Sequence, residues 1–413
     1  MSQERARGEI VRLVHRGLGV QDFSLAAARA LRDRVPFDGV CVLTVDPATL
    51  LPTGEVVENG LPGPAMARLM EIELGEPDYN KFTALTRAPR PAASLSDATR
   101  GRLDESLRQR EIRRPSGFGD ELRAILVSDA EAWGALTLLR ERGRPHFTEH
   151  EVRHVTSLTG AVAQGLRRAL LLGSALGGAG GSAVGSVGGA VGSIGTSADG
   201  VAGGFAGRTG GIAGGLAPTA GGSGDGGGGG PVAPAVGQVG LVLLREDDSI
   251  ERANAVARDL LDELAPVGAG DEHVPIVVQA VAHRARRIAG GEVPADAPAS
   301  ARVRARSGRW LVVHGSVLGD GPGAQVAVVV ESAPVPELAP LIAAAYGLTE
   351  RERKVTQLVA QGLSTADVAA TLHLSAWTVQ DHLKSIFSKT GTGTRGELVA
   401  RVFFDHYAAR LSS

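Results

Sequence analysis

The clearest periodic pattern of apolar and polar positions lies late in the chain, over residues 375–390. One side of a helix drawn there collects residues at the spacing of a buried stripe: Val379, Leu383, Ile386, Phe387 and Thr390. The opposite side collects mostly polar residues: Trp377, Gln380, Asp381, Lys384 and Ser388. The pattern predicts an amphipathic helix with one face in a core and the other free to enter a groove.

Helix-start signals surround this stretch. A hydroxyl residue followed three positions later by a carboxylate forms a capping box, and it occurs at Thr349 with Glu352, Ser364 with Asp367, and Thr394 with Glu397. Ser375 lacks the acid but can still cap, while Gly362 and Gly391 stand where left-handed helix ends are favoured. These signals predict four helices, over about 350–361, 365–372, 376–390 and 395–407. Only residues 373–375 separate the second from the third, which is the spacing of a helix-turn-helix.

The motifs in this region resemble those of a known family. They are LTxRE at 348–352, GLS at 362–364, SxxTVxxHLKxIFxK at 375–389 and RxEL at 395–398. Residues 347–402 resemble the DNA-binding domain of LuxR-type, also called GerE-type, transcriptional regulators. The resemblance implies a four-helix unit whose third helix lies in the major groove and whose fourth helix dimerises. It also implies that Gln380, Asp381 and Lys384 face the bases, although the family often has Lys where Gln380 stands.

The residue chemistry fits double-stranded DNA as a partner. Gln can pair with adenine, Lys can donate to guanine and Asp can accept from cytosine, whereas hydroxyls, Lys389 and helix N-terminal amides can hold phosphates. The predicted DNA-contacting residues are Ser375, Trp377, Thr378, Gln380, Asp381, His382, Lys384 and Lys389. Residues 347–413 carry eight Lys and Arg against six Asp and Glu, so one copy should bind weakly and a homodimer is expected. The alternative is a small helical packing or dimerisation domain.

The N-terminal part has a mixed pattern. Two amphipathic helices over residues 1–36 precede a strand at 40–45, a returning segment near 55–58, helices at 61–73 and 97–113, strands at 122–127 and 133–139, and a long helix from Thr148 to about Leu172. This order predicts an α+β domain over residues 1–172. Residues 20–172 resemble a GAF sensory domain. That resemblance implies an unidentified small-molecule ligand and dimerisation through the flanking helices.

One string in this domain has a catalytic form. His150, Glu151 and His154 make HExxH, which on a helix can hold zinc with the Glu as general base. Ser157 and Gly160 stand where the extended protease motif needs glycine and histidine, and Glu151 also suits a capping role for Thr148. We therefore expect no catalytic residue, no metal and no cofactor, and a zinc metalloprotein is an alternative. Cys41 is expected to be a small buried residue on a strand, and a redox or chromophore-linking thiol is the alternative. A single cysteine excludes an intrachain disulfide and fits a reducing cytoplasm.

Composition changes abruptly after the long helix. Residues 173–230 hold 26 of the 57 glycines, so burial of their small side chains cannot offset the backbone entropy, and residues 173–235 read as a flexible linker. Small-xxx-small spacings such as Gly181, Gly185 and Gly189 also allow a membrane-associated scaffold or adaptor as an alternative. Large apolar residues are few there, and no leader opens the sequence, so we expect no membrane partner and a cytoplasmic protein.

Patterns typical of strands and helices return after the glycine-rich segment. Strands at 239–244, 301–306, 310–318 and 325–331, with a helix at 252–264, predict a second α+β domain over 236–333, and this order resembles a PAS domain. Prolines mark a connector at 334–346, before the helix-turn-helix domain at 347–413. The sequence therefore predicts a multidomain, cytoplasmic one-component transcriptional regulator in which GAF-like and PAS-like domains control a dimeric DNA reader.

Overall fold

The protein is described from a computed structural model, which describes residues 2–61, 64–172, 239–266, 273–319, 321, 323–334, 338, 341 and 346–403. The predicted glycine-rich segment at 173–235, most of the predicted connector and the last residues of the predicted fourth helix lie outside the described residues. All of these described residues belong to one compact unit, so contacts among the parts below are contacts within that unit.

A five-stranded antiparallel sheet organises the N-terminal part. Its strands are β1 Gly39–Val45, β2 Pro52–Glu58, β3 Ala92–Ser94, β4 Phe118–Ser128 and β5 Glu131–Glu141, in the order β2-β1-β5-β4-β3. Because strands alternate their side chains between two faces, Val42, opposite Val56 and Leu136, points to one face of the sheet with them. The predicted strands of this region are present, whereas the sequence did not indicate β3.

Three helices cover that face of the sheet: α1 Ser2–Val14, α2 Val20–Arg32 and α6 Glu149–Leu172. Their apolar stripes meet the sheet in one core, which includes Ile10, Phe23, Leu31 and Leu166. Gly165 of α6 lies against Phe23, and a Cβ there would come within 2.0 Å of the ring. Only a glycine lets the two helices approach this closely, so this position requires one.

The opposite face of the sheet carries irregular structure. Its elements are α3 Pro64–Leu74, α4 Phe82–Leu85, α5 Leu95–Ala98, a 3-10 turn at Leu103–Glu105 and a π-helical turn at Gln109–Arg113. The predicted single helix over 97–113 is wrong, because Arg100 and Gly101 adopt left-handed backbone conformations, with φ of 53° and 82°. Arg108 then turns into the core, where its Nε donates to Glu121 at 2.9 Å and its Nη1 to Asp78 at 3.0 Å.

A second five-stranded antiparallel sheet begins at residue 240. Its strands are β6 Gly240–Leu244, β7 Ile250–Ala253, β8 Ser300–Arg304, β9 Trp310–Leu318 and β10 Gln325–Ser332, in the order β7-β6-β10-β9-β8. Two helices accompany it, α7 Ala255–Leu264 and α8 Ile276–Ala289. The predicted strands are present and the predicted helix is shorter, because β7 takes its first residues. The sequence did not indicate β7 or α8.

The C-terminal part is helical over the described residues. Its helices are α9 Glu350–Ala360, α10 Thr365–Leu372, α11 Ala376–Thr390 and α12 Arg395–Phe403. Their apolar stripes share a core that contains Val355, Val368, Val379, Ile386 and Leu398. The molecule therefore combines two α+β regions, each built on an antiparallel sheet, with a C-terminal helical region. The sequence predicts the same order of fold classes.

The three parts contact one another through specific residues. Asp46, 2% exposed, accepts from the Nε of Arg302 at 2.9 Å and from its Nη2 at 2.6 Å, which joins the β1–β2 turn to β8. Trp133 on β5, Trp310 on β9 and Leu348 before α9 belong to one buried apolar cluster. The helical region is therefore packed against both sheets rather than joined to them by chain connectivity alone.

The HExxH string has a structural explanation. Both oxygens of the Glu151 carboxylate are engaged, because Oε2 accepts from the Thr148 backbone N at 2.8 Å and Oε1 accepts from Arg140 Nη2 at 2.5 Å. His150 is exposed and His154 is buried, and no group of three potential metal ligands exists within the described part of the chain. The capping role predicted for Glu151 is confirmed.

No described helix is both long enough and apolar enough to cross a membrane.

Candidate nucleic-acid interface

The helix starts of the C-terminal region are built as the sequence predicts. Thr349 Oγ1 accepts from the Glu352 backbone N at 3.3 Å, and the Glu352 carboxylate accepts from the Thr349 N at 2.7 Å, which completes a capping box. Ser364 and Asp367 form the second box, with the reciprocal bond from Ser364 N at 3.1 Å. These caps satisfy amides that would otherwise lack partners, and they fix where α9 and α10 begin.

The third predicted box is only half formed. Thr394 Oγ1 accepts from the Glu397 N at 3.1 Å, but the Glu397 carboxylate accepts from the Gly393 N at 2.7 Å instead of closing on Thr394. Gly362 and Gly391 adopt left-handed conformations with φ of 86° and 66°, which confirms the predicted helix ends.

The turn between α10 and α11 depends on His373. This residue adopts a left-handed conformation with φ of 53°, which the sequence did not indicate because glycine is the usual residue there. The next residue, Leu374, donates its backbone N to the Ala369 carbonyl at 2.9 Å. Ser375 then caps α11 by accepting from the Thr378 N at 3.0 Å. Hydrogen bonds on both sides of the turn therefore hold the two helices together.

The inner face of α11 matches the predicted stripe. Val379 and Ile386 are 0% exposed, Thr390 is 2% exposed and Leu383 is 8% exposed, and Phe387 packs against the same core. This burial fixes the rotation of the helix about its axis. The opposite face must therefore point away from the core.

That opposite face is open to solvent. The exposed residues on it are Trp377, Gln380, Asp381, Lys384 and Ser388. The side chains of Gln380, Asp381 and Lys384 form no hydrogen bond or ion pair with any residue that the structure describes. Gln380, Asp381 and Lys384 lie at i, i+1 and i+4, and with Trp377 about one turn before them they fall on one side of the helix, so an amide, a carboxylate and an ammonium group are displayed together. We call these residues with Trp377 the outer stripe.

Other predicted contact residues flank the outer stripe. Ser375 is exposed, and its Oγ lies 2.8 Å from the Thr378 Oγ1, so both hydroxyls stand at the helix N-terminus. Thr378 and His382 are half-buried. A helix N-terminus carries a partial positive charge and unpaired amides, which suits it to a phosphate.

Lys389 has a partner inside the domain. Its Nζ lies 2.6 Å from Glu352 Oε2, and Ser385 Oγ donates to Glu352 Oε1 at 2.7 Å. Burial would raise the pKa of Glu352, but the hydrogen bonds from Lys389, Ser385 and Thr349 outweigh it and lower that pKa to about 2. Glu352 therefore connects the start of α9 to the last turns of α11. The sequence pattern marked this residue as a cap but gave no signal for its link to α11.

Known proteins match this region of the chain. Residues 347–402 match the family described as bacterial regulatory proteins, luxR family (GerE). The chain is 42% identical over 59 residues to a proposed HTH-type transcriptional regulator of the exeN 3′ region in Aeromonas salmonicida, covering 14% of this chain and 30% of that protein. It is 45% identical over 51 residues to the response regulator Rre1 of Synechocystis sp., covering 12% and 22%. It is 41% identical over 56 residues to the transcriptional regulatory protein UhpA of Escherichia coli, covering 14% and 29%.

The chain thus spans less than a third of the length of each of these relatives. Among solved structures, a phycoerythrobilin-bound GAF domain from a cyanobacterial phytochrome is similar with a TM-score of 0.27 and 16% identity, covering 41% of this chain and 97% of that one. A Vibrio cholerae VqmA dimer is similar with a TM-score of 0.18 and 14% identity, covering 42% and 85%. Scores this low carry no argument about fold.

Proposed function

Because residues 347–402 form a helix-turn-helix domain of the luxR family, we propose that this chain is a sequence-specific, DNA-binding transcriptional regulator. The observation that carries the proposal is the outer stripe of α11, whose polar groups are exposed and unpaired within the described residues while the opposite face is buried. A helix with this division is suited to lie in a major groove, with its N-terminal residues at the base edges.

The proposed contacts divide into two classes. Gln380, Lys384 and Asp381 read bases, with adenine, guanine and cytosine as their respective chemical matches. Ser375, Thr378 and the amides at the start of α11 hold a phosphate and set the register of the helix on the duplex. Lys389 can reach a phosphate only by sharing its ammonium with Glu352. His382, half-buried beside the outer stripe, completes the proposed interface.

The active form in this proposal is a homodimer. Residues 347–413 have only two more basic than acidic residues, so a single copy can neutralise few phosphates and should bind weakly. Two copies on an inverted repeat double the contacts and explain how such a weakly charged reader can hold a specific site. The proposal includes α12 as the dimerising helix and the cytoplasm as the location.

We also propose that the two α+β regions act as sensory domains, GAF-like over 1–172 and PAS-like over 236–333, with 173–235 as linker, 334–346 as connector and 347–413 as reader. The support is a contact between Arg353 on α9 and Glu131 at the start of β5, with Nη1 and Oε1 separated by 2.7 Å. Arg353 also donates its Nε to the Leu348 carbonyl at 3.0 Å. A ligand of the first domain could act through this contact if it had different affinities for two arrangements of the dimer.

The proposal is tested by selecting bound sequences from a random duplex pool with the full-length protein at near-physiological salt. We expect an enriched inverted repeat, and we expect the double variant Gln380→Ala, Lys384→Ala to lose enrichment while keeping its circular dichroism spectrum. The matched control is Glu350→Gln on α9, whose side chain is 84% exposed and lies on another helix. Absence of any enriched sequence for the wild-type protein, alone and with cell extract metabolites, would overturn the assignment.

A further inference from the structure

Trp377 is an outlier among the tryptophans of this chain. The chain has three, and Trp133 and Trp310 are 1% and 6% exposed, whereas Trp377 is 73% exposed. Among residues 346–400, no other large hydrophobic side chain is exposed to this degree. An indole left in water forgoes the favourable transfer of a large apolar surface, and covering it in a complex would recover that free energy.

The position of Trp377 on α11 restricts what can cover it. It is the second residue of the helix, directly inside the cap formed by Ser375 and Thr378, and it precedes Gln380, Asp381 and Lys384 on the outer stripe. Residues in this first turn are those that contact base edges when a recognition helix enters the major groove. The indole therefore shares its face with the groups that the proposed function uses to read DNA.

The place of Trp377 on the stripe favours the base edges over the phosphates. Trp377 shares its side of α11 with Gln380, Asp381 and Lys384, which the proposed function assigns to bases, whereas Ser375 and Thr378 at the cap hold the phosphate. We therefore expect the indole to meet the base edges. In the major groove the apolar group presented by the four bases is the C5-methyl of thymine, and the other groups are hydrogen-bond donors and acceptors.

From these observations, and resting on the proposed DNA-reading function, we propose that Trp377 reads the C5-methyl group of a thymine in each half-site. The indole packs against the methyl group and excludes water from it, while Gln380 and Lys384 select the neighbouring bases by hydrogen bonding. Trp377 is thus a specificity-determining residue for thymine. It also accepts 5-methylcytosine, which carries the same methyl group at the same place in the groove.

The test replaces each thymine of the selected site by uracil, which removes only the methyl group. For the full-length wild-type protein, we expect uracil at one position of each half-site to weaken binding about fourfold per methyl group. The Trp377→Ala protein should bind the thymine site about tenfold more weakly and should no longer distinguish thymine from uracil. Trp377→Phe should retain part of the discrimination, and Gln380→Ala should retain all of it while losing preference at a different base.

A second measurement follows the indole directly. Because Trp133 and Trp310 are buried, acrylamide quenching of the native protein reports mainly on Trp377. We expect the selected duplex to protect the wild-type fluorescence from acrylamide, and we expect Trp377→Phe to show little quenching with or without DNA. An unchanged quenching curve on saturation with DNA would overturn the inference, because the indole would then remain in water.

The outcomes separate this inference from the proposed function. If no duplex is selected, the DNA-reading function itself fails. If a site is selected but wild-type protein tolerates uracil at every position, DNA reading stands and the role of Trp377 is wrong. Equal sensitivity to uracil in wild type and Trp377→Ala would assign the effect to duplex shape and would also overturn the inference. A change of sedimentation in Trp377→Ala without a change in thymine preference would assign the indole to a protein contact instead.

Discussion

Glu352 offers the most direct test of how the helical region is held together. Its carboxylate is 4% exposed and accepts hydrogen bonds from Thr349 N, Lys389 Nζ and Ser385 Oγ at 2.6 to 2.7 Å. Glu352→Gln keeps the shape of the side chain but removes the charge. The amide can retain the bonds to the backbone and to the serine, so the main loss is the charged contact with Lys389.

The size of the loss follows from the geometry. A hydrogen bond to a charged group contributes about 1.5 to 3 kcal/mol, and solvent around Lys389, which is a third exposed, reduces the value toward the lower end. The pKa of Glu352 is lowered from 4.5 to about 2 although burial opposes this, so the ionised carboxylate is favoured in the folded protein. We therefore expect Glu352→Gln to destabilise the helical region by about 2 kcal/mol.

The assay is hydrogen exchange of peptides from residues 350–390 in the full-length protein, since this reports opening of the helical region separately from the sheets. A loss of about 2 kcal/mol corresponds to about thirtyfold faster exchange. The matched control is Glu350→Gln, which removes an exposed pair with Lys354 on the same helix and should change exchange less than about twofold. Equal protection in wild type and Glu352→Gln would refute the reasoning.

The same residue predicts a pH dependence. Because the folded-state pKa of Glu352 lies below its ordinary value of 4.5, its contribution is complete above that pH and is lost as the pH falls toward about 2. Protection of residues 350–390 should therefore decline over this range in the wild-type protein. The decline should be smaller in Glu352→Gln, and identical pH profiles would contradict the assignment.

Two further predictions concern the sheets. Asp46→Asn breaks the nearly buried pair with Arg302 and should destabilise the contact between the two sheets by about 3 kcal/mol, seen as a lower thermal midpoint of the full-length protein; an unchanged midpoint would contradict the inferred contact. Burial raises the pKa of the Cys41 thiol to about 12, so its reaction with a disulfide reagent at pH 8 should be at least about a hundredfold slower in native than in denatured protein. Equal rates would show that this half-buried thiol is as accessible in the native protein as in the denatured chain.

The sequence predicted the helical region well because its signals are local. A capping box is read from two residues three positions apart, and the buried stripe of α11 repeats within one helix, so both can be found without tertiary information. His373 is the exception in this region. Its left-handed conformation is imposed by the fixed positions of α10 and α11, and histidine gives no such signal in a sequence.

The sheets show where local patterns fail. Residues 97–113 have a helical period in the sequence. In the structure, however, Arg108 forms buried hydrogen bonds with Glu121 and Asp78, which are distant in sequence, and a continuous helix is interrupted so that these bonds can form. In α8 nearly every residue of the run 276–282 is buried, because the helix packs between its own sheet and elements of the first domain. A helix buried on several sides loses the polar face that would identify it, so its pattern could not be distinguished from a strand or a loop.

The place where the helical region, the proposed reader, contacts the N-terminal sheet bears on the proposed regulation. Arg353 and Leu348 lie at the start of α9, and they meet Glu131 and the cluster around Trp133, whereas the outer stripe of α11 remains exposed. A contact that leaves the proposed DNA-reading face open does not inhibit by covering it. Such a contact fixes the direction in which the reader points from the first domain. In a dimer, a small rotation at this contact changes the distance between two recognition helices, and that distance must match the half-site spacing of the DNA. Under the proposed function, a signal received by the sheets would therefore act on the spacing of the two DNA-binding regions rather than on access to them.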